Sequence, residues 1–341
     1  MTFRYITGAS FFAAPVAFAP IAFTIASPAL ADTVDSGEES STISAVDDRS
    51  AETGAVLDSA QSQSEARGQS GARGSTVANG PPTGDTVFDE TWLTVGVGAG
   101  YVPSYSGSDD YVVFPLPLIA GRVGGVGVRP SAAGVTLDLL SPGLSPAAVD
   151  DVQFSLGPTF RFRNDRVNQI EDPVVEAAGE LDTAVEVGLS GGVSFPGVLN
   201  PFDRVTVSAA VRHDILGAHD GLVIEPGVSY FTPLSRAAIV TVSAGVQFVD
   251  DDFADYYYSV SPGQSAASGL PEFAAEGGLN NYGVNVIGAY DLDGNALNGG
   301  LSLFGIGSYS RLVNDGADTP YTAIRGDADQ WLAGVGIAYT F

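Results

Sequence analysis

The sequence predicts an all-β protein, an antiparallel transmembrane β-barrel of about twelve strands. Three observations carry that prediction. From Trp92 onward, apolar residues recur at every second position in runs of about ten residues. The connections between those runs alternate between short turns and longer loops, as they do in outer-membrane barrels. The alternation also persists to the last residue: Ala333, Val335, Ile337, Tyr339 and Phe341 share one face of the final run.

Before those runs the chain is of a different kind. Arg4 supplies a short positive start, residues 8–30 are apolar and uncharged, and Ala29-Leu30-Ala31 matches an A-x-A cleavage pattern. Residues 1–31 therefore read as a secretory signal peptide of an exported protein. Residues 32–90, with "DSGEESSTISAVDD" and "SAQSQSEARGQSGARG", are acidic and of low complexity. Such a segment buries too little apolar area to offset the entropy of ordering, so it is expected to be disordered.

The barrel is expected over 91–341. In 152–162, Val152, Phe154, Leu156, Phe160 and Phe162 oppose Gln153, Ser155, Gly157, Thr159 and Arg161. The same pattern returns in 185–195, 205–211 and 238–248. A soluble sandwich also alternates, but its strands average only about five or six residues, whereas a tilted strand needs about 9–11 to cross a bilayer. Trp92, Tyr101, Tyr230, Phe248, Tyr290, Trp331 and Tyr339 fall near strand ends, where interfacial aromatic girdles sit. Strands are expected near 91–102, 110–121, 122–130, 133–141, 151–163, 183–195, 204–215, 221–231, 236–249, 279–291, 298–312 and 327–341. Ten and fourteen are the adjacent even counts. On this scheme "PGVLNPFD", "TPLSR" and "DLDGN" are periplasmic turns, and 164–182, 250–278 and 313–326 are outer loops.

Charge and composition narrow the function. The 14 basic residues are all arginine, against 40 acidic ones, for a net charge of -26. That balance argues against nucleic acid, which needs a basic stripe. With no cysteine in the chain, disulfides, thiolate metal sites and cysteine nucleophiles are excluded. "GLSGG" at 188–192 matches G-x-S-x-G, yet Ser190 sits within a strand with no helix following, unlike a nucleophile elbow. The two histidines, His213 and His219, form no pattern with a serine. "DDDFAD" and "DLDGN" lack the ligand spacing of a calcium loop. No catalytic, cofactor or metal residue is expected. By register, Arg161, Arg163, Glu186, Arg204, Arg212 and Glu225 line the lumen. Barrels of about eight strands are filled by side chains while those of about sixteen hold a pore, so an ion-paired plug and a narrow passive channel both fit.

Three blocks carry a family resemblance. "VGVGAGYVPSYSGSDDYVVFPLPLI", "DYYYSVSPGQSAASGLPEFAAEGGL" and "SYSRLVNDGADTP" followed by "GVGIAYTF" resemble, in order, the MipA/OmpV family of outer-membrane proteins. The resemblance implies a Gram-negative outer-membrane barrel without catalytic residues, in contact with membrane lipid and lipopolysaccharide. It implies, for one branch, scaffolding between a murein transglycosylase and a murein synthase, and for others adhesion or solute passage. A barrel hydrolase acting on lipid is a third reading. The ending Ile337, Tyr339, Phe341 resembles the C-terminal signal read by the outer-membrane assembly machinery.

Overall fold

The computed structural model describes residues 86–89, 91–131, 133–140 and 151–341. The expected signal peptide and nearly all of the low-complexity segment lie outside the described residues. Twelve antiparallel strands close into one barrel in chain order. They are β1 (Trp92–Pro103), β2 (Tyr111–Val123), β3 (Val126–Ser131), β4 (Gly134–Asp138), β5 (Gln153–Arg163) and β6 (Ala184–Pro196), followed by β7 (Arg204–Asp214), β8 (Leu222–Pro233), β9 (Ala238–Val249), β10 (Gly278–Asp291), β11 (Gly300–Leu312) and β12 (Asp329–Thr340).

Closure comes from β12 pairing with β1, from Thr94↔Thr340 to Tyr101↔Ala333. Phe341 extends that ladder: its amide donates to the Leu93 carbonyl at 2.9 Å. The joint is tight because it is built on small residues. At Gly98 a Cβ would fall on the Val335 carbonyl, so glycine is required for the two strands to approach. Pairing β12 with β1 leaves neither the first nor the last strand as a free edge strand.

Period-two alternation sorts the side chains as expected. Val97, Val113, Phe154, Leu189, Val207 and Val335 point outward and are exposed, which in a bilayer means contact with lipid. Tyr101, Phe162, Phe248 and Trp331 ring one end of the outward face, and Phe154, Phe195, Tyr290 and Tyr339 the other. Trp92 departs from the expected girdle. It is 3% exposed, shares the inward register of β1, and packs edge-on against Phe88 with centroids 4.7 Å apart. Its partner Phe88 belongs to a 3-10 turn, Val87–Asp89, just before β1.

Parity puts both ends of the barrel chain at the turn end, which corresponds to the periplasmic side. The opposite end carries the connections 164–183, 250–277 and 313–328, and these fold. They hold α1 (Pro173–Ala177), α2 (Asp251–Tyr258), α3 (Pro262–Ser268), α4 (Asp315–Asp318) and α5 (Pro320–Ala323). Among the described residues no helix is long and apolar enough to cross a membrane. The acidic run at 250–255 begins α2. Asp250 Oδ1 accepts from the Phe253 amide at 3.1 Å as an N-cap, and Oδ2 accepts from the Leu222 amide at 2.7 Å. "DLDGN" closes a turn in which Asp291 Oδ1 accepts from the amides of Asp293 and Asn295.

Candidate functional site

The register brings five of the six sequence-read lumen residues into one cluster near the loop end. Arg161 and Arg163 stand two residues apart on the inward face of β5, paired with Glu186 and Ala184 of β6. Arg212 lies on β7 beside Gly188, and Glu225 on β8 beside Ala210. Arg161 donates to both oxygens of Glu225, at 2.7 and 2.8 Å. Arg163 Nε donates to Glu186 Oε1 at 2.6 Å. Arg212 bridges the two carboxylates, with Nε 3.3 Å from Glu186 Oε2 and Nη2 on Glu225 Oε2. All five are buried, Glu186 completely.

Three guanidinium groups face two carboxylates, so no charge stands without an opposite neighbour. Burying ions without such partners is costly. Planar forks suit the task, because a guanidinium can bind two oxygens at once. Gln247 of β9 extends the cluster, donating to Glu225 Oε1 at 2.6 Å and accepting from Asn280 at 2.7 Å. Arg204 sits at the opposite end of β7, with its guanidinium 4.2 Å from the Phe231 ring.

A packed cap lies over this cluster. Arg163 joins the two, because its guanidinium also stacks 4.9 Å from the Phe253 ring of α2. Phe253, Ala254, Tyr257 and Tyr258 pack with Val223, Val249 and Ala275. Tyr105, Val175, Val260, Leu270 and Tyr321 form a second buried group. Arg166 runs between them. Its guanidinium lies 4.0 Å over the Tyr321 ring and its Nη2 donates to the Tyr257 carbonyl at 2.5 Å. Its backbone is left-handed (φ 54°), a conformation that costs about 1–2 kcal/mol for a residue with a Cβ and is held here by those contacts.

Two further ties lock the loops together. Asp172 caps α1 through Oδ1, at 2.8 Å from the Val174 amide, while Oδ2 accepts from Arg325 Nε and Nη2 at 2.9 and 2.6 Å. Burial raises the Asp172 carboxyl, but Arg325 and the two helix amides outweigh it and hold the group below its ordinary range. Tyr105 donates to the Tyr321 and Arg325 carbonyls at 3.3 and 3.2 Å. Its hydroxyl is pushed well above the usual phenol range, first by burial and then by the Asp172 charge.

The rest of the lumen divides by chemistry. Below the cluster, β5 to β9 present Ser155, Ser190, Ser208, Ser229 and Ser243. On the other side the wall is apolar: Val102, Phe114 and Leu332 form a buried group flanked by Val112, Leu116 and Ile306. That wall, the cap and Gln247 were not read from the sequence. The signal for the wall is visible in hindsight, since "YVVFPLPLIA" is apolar at both parities. Ser190 faces the lumen between Gly157 and Ala210. His213 is exposed on the outward register, whereas His219 is buried with Nε2 3.6 Å from Glu186 Oε1.

Comparison with known proteins gives the family. Residues 95–341 match the family described as MltA-interacting protein MipA. Outer membrane protein Omp26La of Vibrio anguillarum is 31% identical over 137 residues, 40% of this chain and 49% of that protein. Outer membrane protein OmpV of Vibrio cholerae is 29% identical over 137 residues, with the same shares. The chain thus spans about half the length of these relatives. Among solved structures, an outer-membrane channel of Pseudomonas putida F1 is similar over 74% of this chain and 95% of its own, at 12% identity and a TM-score of 0.37. With its matched segment covering every strand but the first residues of β1, this outer-membrane β-barrel belongs to the MltA-interacting protein MipA family.

Proposed function

We propose that this barrel is a non-enzymatic, non-conducting platform of the outer membrane that acts by binding other envelope components. The observation that carries this reading is the stopper at the loop end. Five buried charged side chains fill the lumen beneath a cap of interlocked loops. Ions crossing the barrel would have to break paired, desolvated charges, which is expensive in a low-dielectric interior. A murein transglycosylase and a murein synthase are the partner class, supported by the family description, which names an interaction with MltA. The chemistry of a lipid hydrolase finds no support around Ser190, because the buried histidine adjoins Glu186 and the other faces outward.

Planar-bilayer recording of the purified protein tests the stopper, and a flat baseline is the expected result. Co-purification of murein enzymes from solubilised envelopes tests the partner class; repeated absence of them from a folded, membrane-embedded sample would count against it. A narrow passive channel is the second reading, favoured by the serine-lined lower lumen. Stepwise conductance by the intact protein would replace the first reading with it. Within the same proposal, Ile337, Tyr339 and Phe341 act as the assembly signal, residues 1–31 as the export signal, and residues 32–90 as a periplasmic linker.

A further inference from the structure

Two junctions in the barrel wall are short. β4–β5 has three residue pairs, but backbone bonds from Phe162 to Ala133 and from Leu139 to Leu156 carry its ladder further at both ends. No such bonds extend β2–β3 among the described residues. β2 and β3 are joined by three residue pairs only, Gly121↔Val128, Arg122↔Gly127 and Val123↔Val126, all at the turn end. On its other side β2 pairs with β1 along its whole length, from Trp92↔Arg122 to Pro103↔Tyr111. From Tyr111 to Ala120, β2 therefore has no strand partner on the β3 side among the described residues. The β3–β4 hairpin is short, and its last pair is Ser131↔Gly134.

The chemistry of that edge is unusual. Leu93 exchanges both backbone hydrogen bonds with Phe341, so odd residues of β1 turn towards β12 and even ones towards β2. Their even partners in β2 face back, which leaves Val113, Pro115, Pro117 and Ile119 facing the open side. Phe162 donates to the Ala133 carbonyl, so odd residues of β4 face β5 and even ones face β3. By the same alternation, Pro130 of β3 faces β2. Three prolines thus line the opening from both sides. Proline has no N–H to leave unsatisfied in hydrocarbon, where each such group costs several kcal/mol. It also cannot extend the ladder, so the opening cannot zip shut.

Both faces of β2 beside the opening are apolar. Val113 and Ile119 are exposed to the bilayer at 68% and 50%. On the lumen side, Leu116 and Ile306 flank the buried Phe114 group, and Leu118 continues the row. Leu116 lies across Gly100 and Gly334, where added Cβ atoms would collide with it. Around the edge of β2 this row lies next to the outward-facing Val113 and Ile119.

We propose that the β2–β3 opening is a lateral port, through which the acyl chain of a bilayer lipid reaches the lumen wall formed by Leu116, Leu118 and Ile306. The port does not depend on the scaffold reading, since a barrel can be closed along its axis and open through its side.

The absence of native cysteine permits a direct test. A small fluorophore is attached to Leu116→Cys, to Leu118→Cys, to Val113→Cys on the lipid face, and to Ser208→Cys on the far lumen wall. Each full-length variant is reconstituted in phospholipid brominated at mid-chain, and in unbrominated lipid. Quenching at Leu116→Cys and Leu118→Cys several-fold above Ser208→Cys, and approaching Val113→Cys, is the expected result. Quenching at both no greater than at Ser208→Cys would overturn the proposal. Replacing Pro115, Pro117 and Pro130 together by valine, in a variant shown to fold by heat modifiability, should lower the lumen signal towards that of Ser208→Cys. An unchanged signal in that folded variant would remove the opening as the route. If the triple variant does not fold, the four single-site signals still decide between entry and no entry.

Discussion

Arg161 and Glu225 meet through two parallel hydrogen bonds, at 2.7 and 2.8 Å, although 64 residues separate them and two strands lie between β5 and β8. The fork-to-fork geometry spans β6 and β7 on the inside of the barrel and leaves both groups almost wholly buried. Glu225→Ala removes the anion shared by Arg161 and Arg212, leaving those cations facing Glu186 alone. Loss of one partner from a buried pair costs about 3–5 kcal/mol. Arg161→Met combined with Glu225→Leu removes a pair of opposite charges and should cost much less. Urea unfolding in lipid vesicles, with both variants measured beside the parent, checks the order.

Arg166 should govern the cap and leave the barrel intact. It stacks on Tyr321 and donates to the Tyr257 carbonyl, so it holds α2 and α5 together. Lysine keeps the charge but neither the planar face nor the fork. Arg166→Ala and Arg166→Lys should both accelerate proteolysis within 250–277 and 313–328, with heat modifiability of the barrel unchanged. Equal protease resistance in the parent and both variants would show that the apolar cap groups suffice alone.

The wall of the barrel was largely legible in the sequence, and the reasons are local. Period-two alternation in 152–162 or 238–248 reflects one strand with lipid on one side and lumen on the other, and inward residues such as Arg161 and Glu186 follow from parity. What parity cannot give is which inward charges meet. That depends on the offset between non-adjacent strands, so the Arg161–Glu225 contact and the role of Gln247 appear only in three dimensions. The outer loops were less legible for a different reason. The aspartates of "DDDFAD" stay at the surface, but Asp250 also caps a helix whose Phe253 and Tyr257 are buried against loops far away in sequence. Trp92 looked interfacial because strand ends usually are; its inward parity outweighs its position.

Acid should loosen the cap through Asp172. Its folded carboxyl lies below the ordinary value of 3.8 because Arg325 and the α1 amides outweigh burial. Above 3.8 the carboxylate is charged whether the cap is packed or detached, and the tie contributes fully. As pH falls below that value the detached form takes the proton first, and the contribution is lost progressively until the packed form also protonates. Asp172→Asn should therefore weaken the cap at neutral pH and flatten this acid limb. Protease cleavage of the loops measured from neutral pH down to about pH 3, in parent and variant, reports both effects.

Deleting Phe341 separates its place in the sheet from the assembly role proposed for it. In the folded barrel Phe341 adds two backbone bonds with Leu93, at 2.9 and 3.4 Å, and a ring contact with Tyr339 at 4.7 Å. Its side chain is 69% exposed, so little apolar area is at stake in the protein itself. Backbone bonds contribute roughly 0.5–1.5 kcal/mol each in water, so the deletion should lower the stability of refolded protein only modestly. A residue that also serves as an address should show a second, larger effect: far less heat-modifiable barrel in the outer-membrane fraction of cells, with the missing protein in the periplasm. Phe341→Tyr keeps an aromatic ending and should restore most of the insertion, whereas Phe341→Ser should behave like the deletion. If membrane yield simply follows refolded stability across these three variants, Phe341 is a closing residue of the sheet and carries no assembly signal.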